Sequence, residues 1–115
     1  MQVLLDTHTF LWFVLNDPQL SPIALATIED PANDVLVSPA SFWEIAIKVS
    51  QKKLDLFAPY DDFMERGIVG NDFEILPVEP RHCGRLSILP FHHKDPFDRL
   101  IAAQALVEGI KVVSI

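Results

Sequence analysis

The chain has 115 residues, 50% of them hydrophobic, and a formal net charge of −7 at pH 7. This length and composition predict one globular domain and exclude a disordered chain. The acidic charge excludes a general basic nucleic-acid surface, although carboxylates that hold a metal ion can meet phosphate through that ion. No apolar stretch approaches the roughly 20 residues of a membrane span. The single cysteine, Cys83, excludes an internal disulfide and is expected in the core, so we predict a cytoplasmic protein with no membrane segment.

Short apolar segments alternate with helical segments along the whole chain. The predicted strands are 2–5, 34–37, 73–76 and 111–115, and the predicted helices are 7–15, 23–30, 38–51, 60–69, 80–87 and 96–108. Serine or aspartate followed by proline marks three helix starts, and glycine marks two helix ends, at Gly70 and Gly109. This alternation predicts an α/β fold with a central parallel sheet of about four strands. We find no linker or repeat, so residues 1–115 are predicted to form a single domain.

Four acidic residues lie where this topology would bring them together. Asp6 directly follows the first strand, Glu44 lies in the helix after the second, and Asp95 and Asp98 open the helix before the fourth. Ligands of open α/β sheets bind beyond the carboxyl ends of the strands, so these acids are expected to converge there. Converging carboxylates need a compensating cation, and Mg²⁺ and Mn²⁺ prefer oxygen ligands. Such a site can activate water for displacement at phosphorus.

Each acid also has an ordinary structural interpretation. Asp6 could be only the N-cap of the next helix, and Glu44 could pair with Lys48, four residues later on the same helix face. Asp95 precedes Pro96, which is a good helix start, so the sequence favours a cap for Asp95 and a metal ligand for Asp98.

The histidines and tryptophans give weaker indications of function. His92 and His93 precede Asp95, but adjacent histidines point in different directions, so an RNA contact is favoured over a histidine–metal site. The sequence identifies no partner for the other two histidines, His8 and His82. The two tryptophans, Trp12 and Trp43, are expected in the core or an interface, with base stacking as the alternative.

Three segments resemble the motifs of PIN-domain ribonucleases, in the same order. They are 4–8 (LLDTH), 38–48 (SPASFWEIAIK) and 93–105 (HKDPFDRLIAAQA). Together they are most similar to the VapC toxins of bacterial toxin–antitoxin pairs, and the resemblance covers essentially the whole chain.

This resemblance implies a Rossmann-like α/β/α sandwich with Mg²⁺- or Mn²⁺-dependent endoribonuclease activity on RNA phosphodiester bonds. It also implies a homodimer that a cognate VapB-like antitoxin inhibits. The family's metal-binding and catalytic acids correspond here to Asp6, Glu44 and Asp98. Thr7 matches a position that supports the first acid, and Asp95 and Arg99 belong to the third motif in roles that the resemblance does not define.

One departure from the family concerns the C-terminus. The family carries another acid after its fourth strand and then a last strand, and neither follows residues 111–115 here, so the PIN domain is expected to be C-terminally short. The fourth strand would then be a sheet edge, which we expect a dimer or partner to cover. The α-carboxylate of Ile115 could replace part of the missing charge. The alternative function is a catalytically incomplete module that only binds an antitoxin; a receiver-type phosphoacceptor domain fits the acid positions poorly.

Overall fold

Four parallel strands form the sheet in the computed structural model, which describes residues 1–90 and 95–114. The strands are β1 (Gln2–Leu5), β2 (Asp34–Val37), β3 (Glu74–Ile75) and β4 (Lys111–Val113). Their order is β3-β2-β1-β4, and every neighbouring pair is parallel. The predicted parallel α/β fold is therefore confirmed. β3 is shorter than predicted, and the predicted end of β4 at Ile115 lies outside the described residues, as do His92 and His93.

Helices connect the strands at the positions that the sequence predicts. Within the described residues they are α1 (Thr7–Val14), α2 (Pro22–Glu29), α3 (Pro39–Ser50), α4 (Tyr60–Ile68), α5 (Pro80–Leu86) and α6 (Pro96–Glu108). The side chain of Ser21 accepts a hydrogen bond from Ala24 N at the start of α2, as expected of an N-cap. Gly109 ends α6 in the left-handed region with φ of 68°, where glycine carries no steric cost.

Helices cover both faces of the sheet. Alternate residues of a strand point to opposite faces, so one strand can contribute apolar side chains to both helix layers. Val3 and Leu5 of β1 belong to one buried cluster, together with side chains of α1 to α4. Leu4 belongs to a second cluster on the opposite face, with Ile101 and Ala105 of α6. The result is the predicted α/β/α sandwich. None of the described helices is long and apolar enough to cross a membrane.

Buried polar side chains hold the carboxyl edge of the sheet in place. Thr7 at the start of α1 donates a hydrogen bond from its hydroxyl to Ser41 Oγ of α3, at 3.0 Å. Ser38, which caps α3, donates to Gln104 Oε1 of α6 at 2.5 Å, and Gln104 Nε2 donates to the Leu76 carbonyl after β3 at 3.0 Å. These bonds connect the beginning of α1 to α3 and the beginning of α3 to α6. They therefore set the relative positions of the elements that carry the acids.

The structure contradicts the predicted position of Cys83 and excludes the core for Trp43. Cys83 is exposed on α5, so its expected place in the core is wrong; the neighbouring residue His82 occupies the buried side of that short helix. Trp43 is not in the core, since 64% of it is exposed, so the interface and base-stacking interpretations remain for it. For Cys83, hydrophobic residue type alone predicted burial, and the helix orientation overrode it.

Candidate metal centre

Asp6 is the first acid at the carboxyl edge of the sheet. Its backbone N–H bonds to the Val113 carbonyl of β4 at 3.2 Å, which extends the strand pairing by one residue. Its side chain caps α1, because Oδ1 accepts a hydrogen bond from Thr9 N at 2.8 Å. The N-cap interpretation is thus confirmed. The cap uses one carboxylate oxygen, which leaves the other for a ligand role.

Glu44 is the most enclosed acid of the edge, with 4% of the residue exposed. Its Oε2 pairs with Lys48 Nζ at 2.9 Å, so the predicted i, i+4 pair is present, although on a buried face rather than a solvated one. Its Oε1 is also buried and has no hydrogen-bond partner among the described residues. A buried carboxylate oxygen without a partner is costly, and a bound cation would satisfy it.

Asp95 and Asp98 begin α6 beside Glu44. Asp95 Oδ1 accepts hydrogen bonds from Phe97 N at 2.9 Å and Asp98 N at 3.1 Å, which confirms Asp95 as the N-cap. Ligand oxygens of Glu44, Asp95 and Asp98 nevertheless lie within 4.8 Å of one another. Asp95 therefore combines a capping bond with a position in the acidic cluster.

The neighbouring acids act electrostatically on Asp98. Partial burial raises the pKa of Asp98 above its ordinary value, and the negative charges of Asp95, Glu44 and Asp6 raise it further, while His8 opposes them. Asp6 is thus close enough to repel Asp98, although it is not one of the three acids that meet within 4.8 Å. Three features fit a hard divalent cation: the possible ligands are carboxylate oxygens, they repel one another, and one buried oxygen has no hydrogen-bond partner in the described part of the chain.

Thr7 and Arg99 lie near the cluster but contact other groups. The Thr7 hydroxyl bonds to Ser41, so it fixes the start of α1 directly behind Asp6. The buried guanidinium of Arg99 donates to the carbonyl oxygens of Pro90 at 3.0 Å and Leu89 at 3.3 Å. Arg99 therefore fastens the end of the α5 segment to α6. Its part in the family motif is consistent with a positioning role.

A second polar cluster was not predicted from the sequence. His82 of α5 is fully buried; its Nδ1 accepts from Glu79 N at 2.9 Å, so Nε2 carries the proton and donates to Glu108 Oε2 of α6 at 2.9 Å. Arg81 pairs with the same Glu108 oxygen at 2.6 Å. Glu79, His82 and Glu108 could geometrically surround an ion. Both ring nitrogens of His82 already make hydrogen bonds, however, so we interpret Glu79, His82 and Glu108 as a structural contact between α5 and α6, called the latch below. The sequence spacing Glu79-x-x-His82 could have indicated the capping box within α5, but not the contact with Glu108.

An aromatic pair borders the acidic cluster. Trp43 and Phe97 directly precede Glu44 and Asp98 in the sequence, and their rings meet edge to face with centroids 5.3 Å apart at 86°. Trp43 remains largely exposed beside the acids. A large exposed aromatic side chain next to a candidate phosphate-processing site can accept a stacked base.

The fold and the cluster define a class of protein: a parallel α/β sandwich with a carboxylate-rich candidate metal centre at the carboxyl edge of its sheet. The sequence model of the PIN domain matches residues 3–114, and the chain belongs to this family. The resemblance seen in the three motifs is therefore confirmed.

Individual proteins are similar to this chain in sequence or in fold. Ribonuclease VapC22 of Mycobacterium tuberculosis (strain ATCC 25618 / H37Rv) is 28% identical over 113 residues, which are 97% of this chain and 85% of that protein. The crystal structure of VapBC2 from Rickettsia felis bound to a promoter DNA fragment superposes with a TM-score of 0.69 at 16% identity, covering 99% of this chain and 87% of that one. FitAB bound to an IR36 DNA fragment gives a TM-score of 0.64 at 20% identity, covering 97% and 83%.

Proposed function

We propose that this PIN domain is a VapC-like toxin: a Mg²⁺- or Mn²⁺-dependent endoribonuclease that cleaves RNA phosphodiester bonds. The observation that carries the proposal is the buried Oε1 of Glu44, which lies beside Asp95 and Asp98 and has no hydrogen-bond partner within residues 1–90 and 95–114. Membership of the PIN family and the similarity to a VapC ribonuclease support it.

Asp6, Glu44 and Asp98 would hold the cation, with Asp95 as a further ligand. A divalent cation at such a site activates water and stabilises the charge that develops at phosphorus. The chain contributes preorganisation, since the caps at Asp6 and Asp95 each fix one carboxylate oxygen and Lys48 fixes one oxygen of Glu44. The exposed Trp43 would hold a base next to the scissile phosphate.

The proposed partners follow from the same comparisons. VapBC2 and FitAB, whose toxin chains share this fold, support inhibition by a small VapB-like antitoxin. The net charge of −7 favours a basic antitoxin segment at the acidic edge. We further propose a cytoplasmic homodimer in which a second protomer or the antitoxin covers the edge at β4.

Cleavage of a mixed RNA pool tests the proposal directly. The wild type should cleave with Mg²⁺ or Mn²⁺ and fail in EDTA, and Asp98→Asn should lose the activity. Asp62→Asn is the matched control, because Asp62 occupies the same position in the first turn of α4 and is exposed. Absence of metal-dependent cleavage by folded, antitoxin-free protein would favour the alternative, a module that only binds an antitoxin.

A further inference from the structure

The two oxygens of the Glu44 carboxylate have different environments. Oε2 meets the ammonium group of Lys48 at 2.9 Å, whereas Oε1 is buried without a hydrogen-bond partner among the described residues. The Glu44 side chain is 6% exposed and the Lys48 side chain 35%, so the lysine reaches in from the surface to an enclosed carboxylate. This asymmetry indicates two functions for one carboxylate, with one oxygen held by the chain and one left for a ligand.

The charges around this pair explain why a lysine is needed there. Glu44 shares its surroundings with Asp95 and Asp98, whose ligand oxygens lie within 4.8 Å. Without a cation, several negative charges at this distance repel one another, and the most buried carboxylate bears the largest desolvation cost. The ammonium group of Lys48 offsets part of that repulsion.

We propose that Lys48 is the internal counter-ion of the metal-free site, which holds the Glu44 carboxylate in position until a divalent cation takes over the compensation of charge. The inference rests on the proposed metal site and assigns a positioning residue to it. Because Lys48 also repels an incoming cation, it stabilises the metal-free protein and at the same time weakens cation binding. Lys48 and the bound cation therefore show negative coupling: each reduces the stabilisation that the other provides.

An ordinary surface pair on a helix would behave differently. Such an i, i+4 pair stabilises the helix by a similar amount whether or not a ligand is present. A counter-ion stabilises the metal-free state alone, since the cation makes it redundant. The difference between these two cases is measurable without any nuclease activity.

The test compares the wild type with Lys48→Met, which keeps the aliphatic stem and removes the charge, and with Lys48→Arg, which keeps the charge. Lys53→Met serves as the control, since Lys53 is exposed and lies beyond the end of α3. Thermal unfolding is measured in EDTA and in saturating Mn²⁺, and Mn²⁺ affinity by titration calorimetry. Lys48→Gln replaces Lys48→Met if the latter does not fold.

We expect Lys48→Met to melt several degrees below the wild type in EDTA and close to it in Mn²⁺. Its Mn²⁺ affinity should be roughly three- to tenfold higher, because a like charge near the ion is gone. Lys48→Arg and Lys53→Met should match the wild type. Equal or weaker Mn²⁺ binding by Lys48→Met, with the same loss of stability in both conditions, would overturn the inference. A wild type that binds no Mn²⁺ would overturn the metal site as well.

Discussion

Asp98→Asn should stabilise the metal-free protein even though it removes a proposed metal ligand. At 4.8 Å, two carboxylates repel by about 0.9 kcal/mol in water and about 3.5 kcal/mol at an effective dielectric constant of 20. Asp98 is more open than Glu44, so the lower figure applies to each of its repulsions with Glu44 and Asp95. Against this relief, asparagine loses roughly 0.3–1 kcal/mol of attraction to the start of α6. The net expectation is a gain of about 1 kcal/mol.

The gain should appear in EDTA as an increase in melting temperature of about 4 °C, measured by circular dichroism. Added salt should reduce it, and saturating Mn²⁺ should reverse the order, since only the wild type then gains a tight ligand. Asp62→Asn loses the same attraction to a helix start without relief of repulsion, so it should melt slightly lower. If Asp98→Asn also melts lower than the wild type in EDTA, the acids do not repel one another as argued.

Three further predictions concern protonation, the latch and the aromatic pair. The folded chain raises the pKa of Asp98, so it binds the proton of this carboxyl group more tightly than the unfolded chain does. The stability of the metal-free protein should therefore fall as the pH rises through this pKa. Melting curves recorded at several pH values should show this fall for the wild type but not for Asp98→Asn. His82→Ala should cost about 2–3 kcal/mol in urea unfolding, because Glu79 N and Glu108 lose their buried partner; a cost under about 1 kcal/mol would mean that the latch contributes little. Trp43→Ala should raise the KM for RNA about tenfold with an unchanged fold, and Trp43→Phe should restore it; an unchanged KM would exclude base stacking.

Local signals in the sequence predicted most of the fold. Serine–proline pairs and Gly109 mark helix ends through contacts with residues two to four positions away, so they are readable without tertiary information. β3 was predicted too long, because its ends depend on pairing with β2 alone at the sheet edge. Cys83 was misplaced for a similar reason: which side of a short helix is buried depends on what packs against it.

The candidate site was predictable in its members but not in its contacts. Topology alone places Asp6, Glu44 and Asp98 at one edge, since each lies at the carboxyl end of a strand or on an adjoining helix. Packing between distant segments produces the bond between His82 and Glu108, and it leaves Glu44 Oε1 without a hydrogen-bond partner among the residues that the structure describes. No spacing in the sequence encodes them.

Asp95 combines capping hydrogen bonds with a position in the acidic cluster. One substitution can separate its capping role from its proposed role as a metal ligand. Asparagine is as good an N-cap as aspartate, because its side-chain oxygen can accept the same hydrogen bonds from Phe97 N and Asp98 N. Asp95→Asn should therefore keep both capping bonds while removing one negative charge from the cluster, so the metal-free protein should be at least as stable as the wild type. If Asp95 is a ligand, Mn²⁺ affinity measured by calorimetry should fall, though less than in Asp98→Asn, since Asp95 already uses one oxygen for the cap. Asp95→Ser, a neutral cap that is too short to replace the carboxylate, should behave in the same way. Affinity equal to that of the wild type in both variants would assign Asp95 to the cap alone and leave Asp6, Glu44 and Asp98 as the proposed ligands.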